Sequence, residues 1–351
     1  DWTLHILLLS AYDAPSHRYW RESLERYCPW HRFTQLALPP RYFSWRIRGN
    51  SLSWAFTCRQ ALMRDYDLLV VTSQVDLSAL RGFVPGLGNI PTLLYFPENQ
   101  FAYPLSDAAH GSLEPRIVNL YSALCADMLV FNSAWNQRSF LAGVDELLHR
   151  LPDQVPPGLV DRLDSLAHVL PVPIEPAYGG VGSRQFARRR PGARLEVVWN
   201  HRWEYDKGPE TLLAAVRGCI QNRVAVTFHI LGQQFRNQPT PLQELEQLLR
   251  LHPDYLGNWG TVPGRQNYYR LLEGADVVLS TALHEFQGVA VMEAVTRGCQ
   301  PLVPDRLSYP ELFPAQYRYR STPQQPQLEG ARIADRLVTL ARRAMSGGDL
   351  E

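Results

Sequence analysis

The chain has 351 residues, 45% of them hydrophobic and 20% charged, and its formal net charge at pH 7 is +1. This length and composition predict a soluble globular protein that is long enough for two domains, each with its own core. Because the net charge is close to zero, nothing attracts the whole molecule to nucleic acid or to an anionic membrane, and such a partner must bind a local patch.

The cysteines and the apolar runs indicate the compartment in which the protein works. Its five cysteines are widely spaced and form no Cys-x-x-Cys pair, which argues against a disulfide framework and a structural zinc site. No apolar run approaches the roughly 18 residues of a membrane span, and no signal peptide precedes the first predicted strand. We therefore expect a cytoplasmic protein with no membrane partner, and the sequence leaves its oligomeric state open.

The first half of the chain alternates short apolar runs with amphipathic stretches. The apolar runs predict buried strands at residues 4–10, 66–73, 91–97, 127–133 and 167–174. The stretches between them predict helices at residues 17–28, 53–64, 114–125 and 134–142. Buried strands separated by helices are typical of parallel βαβ units in a doubly wound sheet.

This pattern lapses over residues 175–194, which are rich in Gly, Pro and Arg, and then begins again. The second series predicts strands at 195–200, 224–232, 275–281 and 300–304, and helices at 209–221, 240–251, 265–273, 287–298 and 329–345. We predict an N-terminal domain at 1–174, a linker at 175–194, a C-terminal domain at 195–328, and a closing helix and tail at 329–351. Two Rossmann-like α/β domains, neither with Gly-x-Gly-x-x-Gly, favour an enzyme whose ligand lies in a central cleft between them.

One lysine stands out in the second domain. Lysine and arginine total 35, and Lys207 is the only lysine. It follows Arg202 in the loop after the strand "LEVVWN", at the strand end where such sheets bind ligands. An arginine fork and a slim ammonium could grip a diphosphate from two directions. Equally, Lys207 could be an ordinary surface residue beside Asp206.

A second motif lies at "STALHEFQGVAVMEAVTRGCQPLVP", residues 280–304. It predicts a strand, a loop and a helix that opens near Gln287 and Gly288, and a helix N-terminus suits a phosphate. Gly288 removes a side chain that would keep the ligand away. Glu293 is an acid in an apolar segment, so it needs a hydrogen-bonding partner such as a ribose diol. Glu285 could face a sugar ring, although both glutamates are also compatible with an ordinary acidic helix.

The combination of Arg202, Lys207, Glu285 and Glu293, with Gly-Cys-Gln-Pro-Leu-Val after it, resembles the retaining GT-B glycosyltransferases. The resemblance implies that the Arg and the Lys hold the nucleotide diphosphate, that Glu285 lies by the donor sugar, and that Glu293 binds the ribose. It also implies that "GNWGTVPG" (257–264) meets the nucleotide base. These enzymes use no metal, because cationic groups and the helix end stabilise the leaving group. The donor-binding residues are therefore expected to be Arg202, Lys207, Val262, Glu285, Phe286, Gln287, Gly288, Val289 and Glu293.

Further stretches narrow the resemblance. "SAYDAPSHRYW", "RYFSWRIRGNSLSWA", "LYFPENQFAYP", "VFNSAWNQRSFL" and "WNHRWEYDKGPE" are similar to tRNA-queuosine mannosyltransferases, over about residues 5 to 300. That family transfers mannose from GDP-mannose to the cyclopentene diol of queuosine in the anticodon of tRNA-Asp. Membership implies GDP-mannose and tRNA as partners, and no cofactor or metal.

The acceptor is expected to meet the first domain. Glu98, Asn99 and Gln100 offer donors and acceptors suited to a cis-diol, and Arg41 and its neighbours form a basic, aromatic patch that suits an anticodon. The expected acceptor-binding residues are Ser16, His17, Trp45, Arg46, Arg48, Glu98, Asn99 and Gln100. A second basic cluster could add contacts to the RNA backbone, although charged runs in linkers are more often simply solvated. It comprises Arg184, Arg188, Arg189, Arg190 and Arg194.

Two positions depart from the family pattern. Ala14 and Pro15 stand where the family has Gly-Gly, and Pro97 stands where it has His before Glu-Asn-Gln. The first change makes a close backbone approach to the ligand less certain, and the second removes a side chain from the site. His17 remains near the first strand, and we predict that it faces the cleft and takes part in catalysis.

The reaction implied is mannosyl transfer with retained configuration, by same-face attack in which the departing phosphate takes the acceptor proton. The predicted catalytic residues are Arg202, Lys207, Glu285 and His17, without a protein nucleophile. Two alternatives stay open at this point. One is the same chemistry on a lipid or glycan, which predicts an exposed apolar face on the first domain. The other is a non-catalytic protein that binds a nucleotide sugar or RNA.

Overall fold

A computed structural model describes residues 2–103, 113–175, 192–234, 237–348 and 350 of the chain. The chain divides into two compact units, Asp1–Val172 and Pro173–Glu351. Each unit contains one parallel sheet of six strands with helices between the strands, as the predicted doubly wound α/β architecture requires. The α/β fold class is therefore confirmed.

The described residues of the first unit form six strands and seven α-helices. The strands are β1 (His5–Ser10), β2 (Arg32–Ala37), β3 (Leu68–Thr72), β4 (Thr92–Phe96), β5 (Met128–Phe131) and β6 (Ala167–Val169). The helices are α1 (Pro15–Tyr27), α2 (Phe43–Thr57), α3 (Arg59–Leu62), α4 (Leu77–Phe83), α5 (Leu113–Cys125), α6 (Ala134–Arg150) and α7 (Leu159–Leu166), with a 3-10 helix at Pro85–Asn89. The strand order is β2-β1-β3-β4-β5-β6, and every neighbouring pair is parallel.

The second unit repeats this plan. Its strands are β7 (Leu195–Asn200), β8 (Val226–Leu231), β9 (Leu256–Gly260), β10 (Val277–Leu279), β11 (Gln300–Pro304) and β12 (Arg318–Tyr319). Its helices are α8 (Pro209–Gln221), α9 (Thr240–Leu251), α10 (Arg265–Gly274), α11 (Val289–Thr296), α12 (Tyr309–Leu312) and α13 (Pro326–Met345). Short 3-10 helices lie at Tyr205–Lys207, Pro253–Tyr255 and Ala315–Tyr317. The order β12-β11-β10-β7-β8-β9 is again parallel throughout.

Both sheets bury both of their faces. In β1, Leu7 and Leu9 belong to one core cluster, whereas Ile6 and Leu8 belong to another that includes Trp20. Side chains alternate between the two faces of a strand, so helices must cover both sides of the sheet. This explains why the central strands read as continuous apolar runs.

The strands that the sequence did not predict lie at the sheet edges. These are β2, β9 and β12, and each occupies an outer position in its sheet. An edge strand is less buried than a central one and needs no apolar run; β2, for instance, has no fully buried residue. The sequence also missed α4 and α7, and α2 begins at Phe43, ten residues before the helix predicted from residue 53.

The end of the chain packs into the second unit. Helix α13 lies against α8, where a Cβ on Gly330 would lie 2.4 Å from the Cβ of Ala214. Most of the predicted linker, with Arg184, Arg188, Arg189 and Arg190, falls outside the described residues. Among the residues that are described, no helix is both long and apolar enough to cross a membrane.

Candidate active site

Lys207 is placed by a tight connection between β7 and α8. It ends the 3-10 turn Tyr205–Lys207, and Gly208 follows with a left-handed φ of 67°. A Cβ on Gly208 would lie 2.0 Å from the carbonyl oxygen of Thr281, so only glycine fits this approach to the loop after β10. The Thr281 hydroxyl donates a 2.7 Å hydrogen bond to the carbonyl of Lys207, which fixes the two loops together.

The ammonium of Lys207 is buried between acceptors from both loops. Its Nζ donates to the carbonyl oxygen of His284 at 2.8 Å and to Oε2 of Glu285 at 3.2 Å, with only 7% of the side chain exposed. The Asp206 carboxylate lies 3.7 Å away. A lysine ammonium directs three donors from one compact nitrogen, whereas a planar guanidinium is broader and rigid. This geometry gives a physical reason for lysine at this position.

The two carboxylates around Lys207 stay ionised. Burial raises the pKa of Glu285, but the charge and hydrogen bond of Lys207, together with the neighbouring histidines, lower the pKa to about 2. Burial also raises the pKa of Asp206, and there a hydrogen bond from His284 together with the charge of Lys207 lowers it to about 2. The site therefore holds two carboxylates against one buried ammonium at neutral pH.

His201 is a neutral imidazole beside this charged group. It is buried, and its Nε2 lies 2.8 Å from the hydroxyl of Ser280, which in turn lies 2.8 Å from the hydroxyl of Tyr309. Burial lowers the pKa of His201 to about 3, and the positive charge of Lys207 acts in the same direction. The ring therefore adds a dipole and no charge.

A cavity of about 240 Å³ opens at the carboxyl ends of β7, β8 and β9. It is lined by Asn200, His201, Arg202, Leu231, Gly232, Gln233, Thr261, Val262 and Tyr268. Ligands bind at such strand ends in doubly wound sheets. The structure thus brings the predicted Arg202 and Val262 to one cavity, with the guanidinium of Arg202 about half exposed and 3.3 Å from Glu204.

Asn200 contributes an acceptor to the same cavity. Its Nδ2 donates at 2.8 Å both to the carbonyl of Ala290 and to the hydroxyl of Tyr268. Because a carbonyl can only accept, these bonds fix which end of the amide is nitrogen. Its Oδ1 is buried and has no hydrogen-bond partner among the described residues, so it could accept a bond from a ligand.

Glu293 lies on α11 among basic and phenolic groups. Burial raises the pKa of its carboxyl, while the guanidiniums of Arg265 and Arg297 and a hydrogen bond from Tyr268 oppose the rise. The nearest guanidinium nitrogen of Arg265 is 3.9 Å from Oε1. Tyr268 also lines the cavity, and so it connects Glu293 to that space.

The remaining donor candidates surround the start of α11. Gly288 caps the helix with a left-handed φ of 77°, and a Cβ there would lie 3.1 Å from the ring of Tyr309. This backbone requirement is a reason for glycine that needs no ligand. Phe286 is buried with its ring edge-on to His284, Gln287 is also buried, and Val289 is the half-buried first residue of the helix.

In the first unit, Ser16 and His17 lie in the first turn of α1, which follows the carboxyl end of β1. His17 is buried at 5% exposure, and its Nδ1 has no hydrogen-bond partner within the described part of the chain. Ser16 is exposed. The structure therefore sets His17 at the strand-end edge of its sheet, as a largely enclosed residue.

Asn99 corrects one expectation about the acceptor site. Its Nδ2 donates to the carbonyl and the side chain of Asn136 and to Ser139, and its Oδ1 accepts from the amides of Phe101 and Ala102. The side chain is fully buried, so none of it is left to bind a diol. Asn99 instead shapes the loop after β4.

Its neighbours are differently placed. Glu98 is half-buried, and its carboxylate accepts hydrogen bonds from Gln74 and from the hydroxyl of Tyr103. The backbone N–H of Gln100 donates to Oδ1 of Asn119 at 2.8 Å. Gln100 itself is half-buried. Both side chains therefore remain candidates for contact with an acceptor.

The predicted basic patch on α2 also divides in the structure. Trp45 is 53% exposed, whereas Arg46 is buried and cannot form part of a surface patch. Arg48 is half exposed but binds Asp76 at 2.7 Å and Glu114 at 3.3 Å. Arg48 therefore ties α2 to neighbouring elements, and Trp45 is the open member of the predicted trio.

Several residues of the site were not singled out from the sequence. His201 and Asp206 lie inside the quoted "NHRWEYDKG", Asn200 begins it, and His284 immediately precedes Glu285. The available signal was their position at strand ends, next to residues already selected. No group of three or more His, Cys, Asp or Glu residues in the described part of the chain could hold a metal ion.

The chain is similar to known proteins in sequence. Residues 5–174 match the family described as tRNA-queuosine alpha-mannosyltransferase N-terminal. A tRNA-queuosine alpha-mannosyltransferase from Drosophila melanogaster is 29% identical over 324 residues, which cover 91% of this chain and 84% of that protein.

Solved structures share the fold at lower identity. A sucrose-phosphate synthase from Thermosynechococcus elongatus is 14% identical with a TM-score of 0.66, covering 99% of this chain and 92% of that chain. A UDP-forming alpha,alpha-trehalose-phosphate synthase from Burkholderia xenovorans is 13% identical with a TM-score of 0.65, covering 98% and 93%. The chain is thus a glycosyltransferase of the GT-B fold, and its residues 5–174 match the model of tRNA-queuosine alpha-mannosyltransferase N-terminal domains.

Proposed function

We propose that this glycosyltransferase moves mannose from GDP-mannose to the cyclopentene diol of queuosine in the anticodon of tRNA-Asp, with retained configuration. The observation that carries the proposal is the buried ion pair of Lys207 and Glu285. His201 is close enough for the charges of this pair to act on it, and it also lines the cavity at the ends of β7 to β9. The likeness to a tRNA-queuosine alpha-mannosyltransferase supports the acceptor and the sugar.

The second unit would hold the donor. Arg202 and the ammonium of Lys207 supply positive charge for the diphosphate, and the amides at the start of α11 offer further donors. Glu293 and the free oxygen of Asn200 are acceptors suited to ribose or base donors. These groups act on GDP as leaving group without a metal, because fixed positive charge stabilises the oxygen on which negative charge develops.

The state of Glu285 favours an orienting role over a nucleophilic one. Its Oε2 already accepts a bond from Lys207, and its Oε1 accepts one from the backbone N–H of Phe286 at 3.1 Å. A carboxylate held in this way is stabilised as an anion and is a poor nucleophile. In the proposed reaction the acceptor hydroxyl attacks on the face that the phosphate leaves, and the phosphate takes the proton.

The test uses purified protein, GDP-mannose and tRNA with or without queuosine, followed by mass measurement of the anticodon nucleoside. A hexose gain only in queuosine-containing tRNA-Asp supports the proposal. Hydrolysis or binding of GDP-mannose without a gain on tRNA would keep the donor and remove the acceptor, and a lipid or glycan would then be the acceptor to test. Binding of no nucleotide sugar would overturn the proposed reaction.

A further inference from the structure

We infer that the start of α2 is a base-stacking platform for the single-stranded part of the RNA acceptor, formed by Trp45 and Tyr42 and seated on Gly49. The inference rests on the proposed tRNA acceptor. It adds that helix α2 binds this RNA and that the contact is base stacking. Its evidence is the packing of one indole ring, the backbone of one tyrosine and the charge around them.

Trp45 lies with one ring face against its own helix. A Cβ on Gly49, four residues on, would lie 2.4 Å from Cε2, 2.6 Å from Cζ2 and 2.7 Å from Cδ2 of the indole. Cε2 is a ring-fusion carbon whose in-plane directions are all occupied by bonded atoms, so this approach must come from the face of the ring. Glycine is therefore needed for the ring to lie flat.

Much of this indole remains exposed. Trp45 is 53% exposed although it packs on Gly49, and a large apolar ring in contact with water can bury surface by stacking. Nucleobases stack on such rings whatever their sequence, because every base has a π-face. A flat ring held on a rigid helix is already oriented for this contact.

Tyr42 is held beside it in a costly conformation. It caps α2 with φ 54° and ψ 53°, in the left-handed region that L-residues avoid, and 73% of it is exposed. An exposed aromatic residue in this conformation does nothing for the core, and strained residues of this kind cluster at functional sites. The backbone amides of Trp45 and Arg46 donate to the Tyr42 carbonyl, at 3.0 and 2.8 Å, so the cap fixes both rings on the first turn.

The platform is anchored to the strand-end edge of the first sheet. The ring of Phe43 contacts Tyr12, two residues past the end of β1, edge-on at 5.6 Å. Asn50 donates to the carbonyl of Gln74, after β3, and the side chain of Gln74 donates to Glu98, after β4. The rings and the candidate diol-binding carboxylate are thus attached to one set of loops.

The charge beside the rings fits a nucleic acid better than an apolar partner. Arg41 is exposed, its guanidinium carbon lies 5.8 Å from the centre of the Tyr42 ring, and it forms no ion pair with any residue that the structure describes. An unpaired guanidinium next to aromatic faces is the combination that single-stranded RNA binds, through phosphate and base together. A lipid tail or an apolar helix would leave this cation without a counterion.

The test compares dissociation constants for full-length queuosine-containing tRNA-Asp, measured by filter binding with the complete chain over a range of salt. Trp45→Ala is expected to weaken binding about 10-fold or more, since one stacked base contributes that much, and to leave the salt dependence unchanged. Arg41→Gln is expected to lower the slope of log Kd against log salt by about 0.7.

Two variants have matched controls in this chain. Gly49→Ala should lift the indole and weaken binding several-fold although alanine favours helix, whereas Gly82→Ala, a helical glycine with nothing within 4 Å of its Cβ position, should bind as wild type. Tyr42→Gly should relieve strain and still weaken binding, whereas Gln154→Gly, which relieves a similar φ of 55°, should not. Thermal unfolding of each variant identifies any loss of binding that comes from misfolding.

The outcomes separate this inference from the proposed function. If wild type binds and modifies the tRNA while Trp45→Ala, Gly49→Ala and Tyr42→Gly do so equally well, the platform is wrong and the function stands. If wild type transfers mannose to no tRNA and binds none, both are overturned, and the fault lies in the proposed acceptor. A partner protein that protects Trp45 while these variants leave tRNA binding unchanged also overturns the platform.

Discussion

The two units hold their functional loops by different kinds of buried polar group. In the second unit the loops after β7 and β10 meet around charge, with Lys207 between Glu285 and Asp206. In the first unit the loops after β3 to β5 are joined by neutral amides, because Asn99 bonds Asn136 and Asn119 donates to the Ser73 carbonyl at 2.8 Å.

The difference fits the proposed roles of the two sets of loops. Buried charge costs desolvation and is retained where an electrostatic field is useful, as around a leaving diphosphate. Saturated neutral amides leave no field and fix the backbone, which suits loops that only have to present surface side chains. The comparison therefore predicts that substitutions in the neutral amide network of the first unit lower stability. Substitutions in the charged group of the second unit should lower catalysis.

The largest expected effect is on Lys207. Lys207→Met should lower mannosyl transfer about 100- to 1000-fold, since it removes a preorganised cation from the site of developing charge. The substitution also leaves the buried Glu285 carboxylate without the ammonium that helps to lower its pKa to about 2. Transfer rates and thermal unfolding should be measured together.

The double variant Lys207→Met, Glu285→Gln separates the two consequences. It removes the unpaired carboxylate, so the thermal stability should recover at least in part while the transfer rate stays low. A recovered transfer rate would show that the pair serves the fold alone, and the contrast between the units would then fail.

The neutral network gives the next largest effect, on stability. Asn99→Ala leaves the amides of Phe101 and Ala102 without their acceptor and should lower the free energy of unfolding by about 2–3 kcal/mol. The control Gln100→Ala keeps the backbone hydrogen bond to Asn119 and should change the free energy of unfolding by less than about 0.5 kcal/mol. Urea unfolding measures both, and Asn99→Ala with normal stability but weakened tRNA binding would contradict the assignment.

His201 predicts a pH dependence. Its pKa is lowered from 6.5 to about 3 by burial and by Lys207, so between these values the unfolded chain binds one proton more than the folded protein. The stability therefore falls as the pH falls from 6.5 toward 3, with a slope of up to about 1.4 kcal/mol per pH unit from this group. His201→Gln should remove that slope, which urea unfolding at several pH values would reveal. A variant slope equal to that of the wild type would show that other groups dominate.

Only some residues on the charged side of this contrast could be predicted from the sequence, and the limit has physical reasons. Arg202, Lys207 and Glu285 can be selected from the sequence because Lys207 is the only lysine, Glu285 belongs to a motif with Glu293, and all three follow central strands with clear apolar runs. The acceptor of the shortest Lys207 bond is a backbone carbonyl, that of His284, and a backbone atom has no signature in the sequence.

The faces of α2 were harder to predict. Apolar residues occur on both sides of this helix, with Ile47 and Trp54 buried but Trp45 and Phe56 exposed, so no single stripe marks the inner face. Arg46 was therefore expected at the surface and is found buried. The full set of hydrogen bonds around Asn99 likewise depends on α6, whose contact with the loop after β4 is not local in sequence.

The smallest expected effect separates Arg48 from its neighbours. Arg48 bridges Asp76 and Glu114, and Asp76 also caps α4 by accepting from the amide of Ala79 at 3.2 Å. Because Arg48 is half exposed, water and salt weaken these bridges, and Arg48→Gln should lower the free energy of unfolding by about 1 kcal/mol or less. Arg41→Gln, which breaks no ion pair among the described residues, should leave stability unchanged and alter only tRNA binding. If Arg48→Gln instead lowered the salt dependence of tRNA binding as Arg41→Gln is expected to, Arg48 would leave its carboxylates to bind phosphate, and the first unit would also use its ion pairs for function.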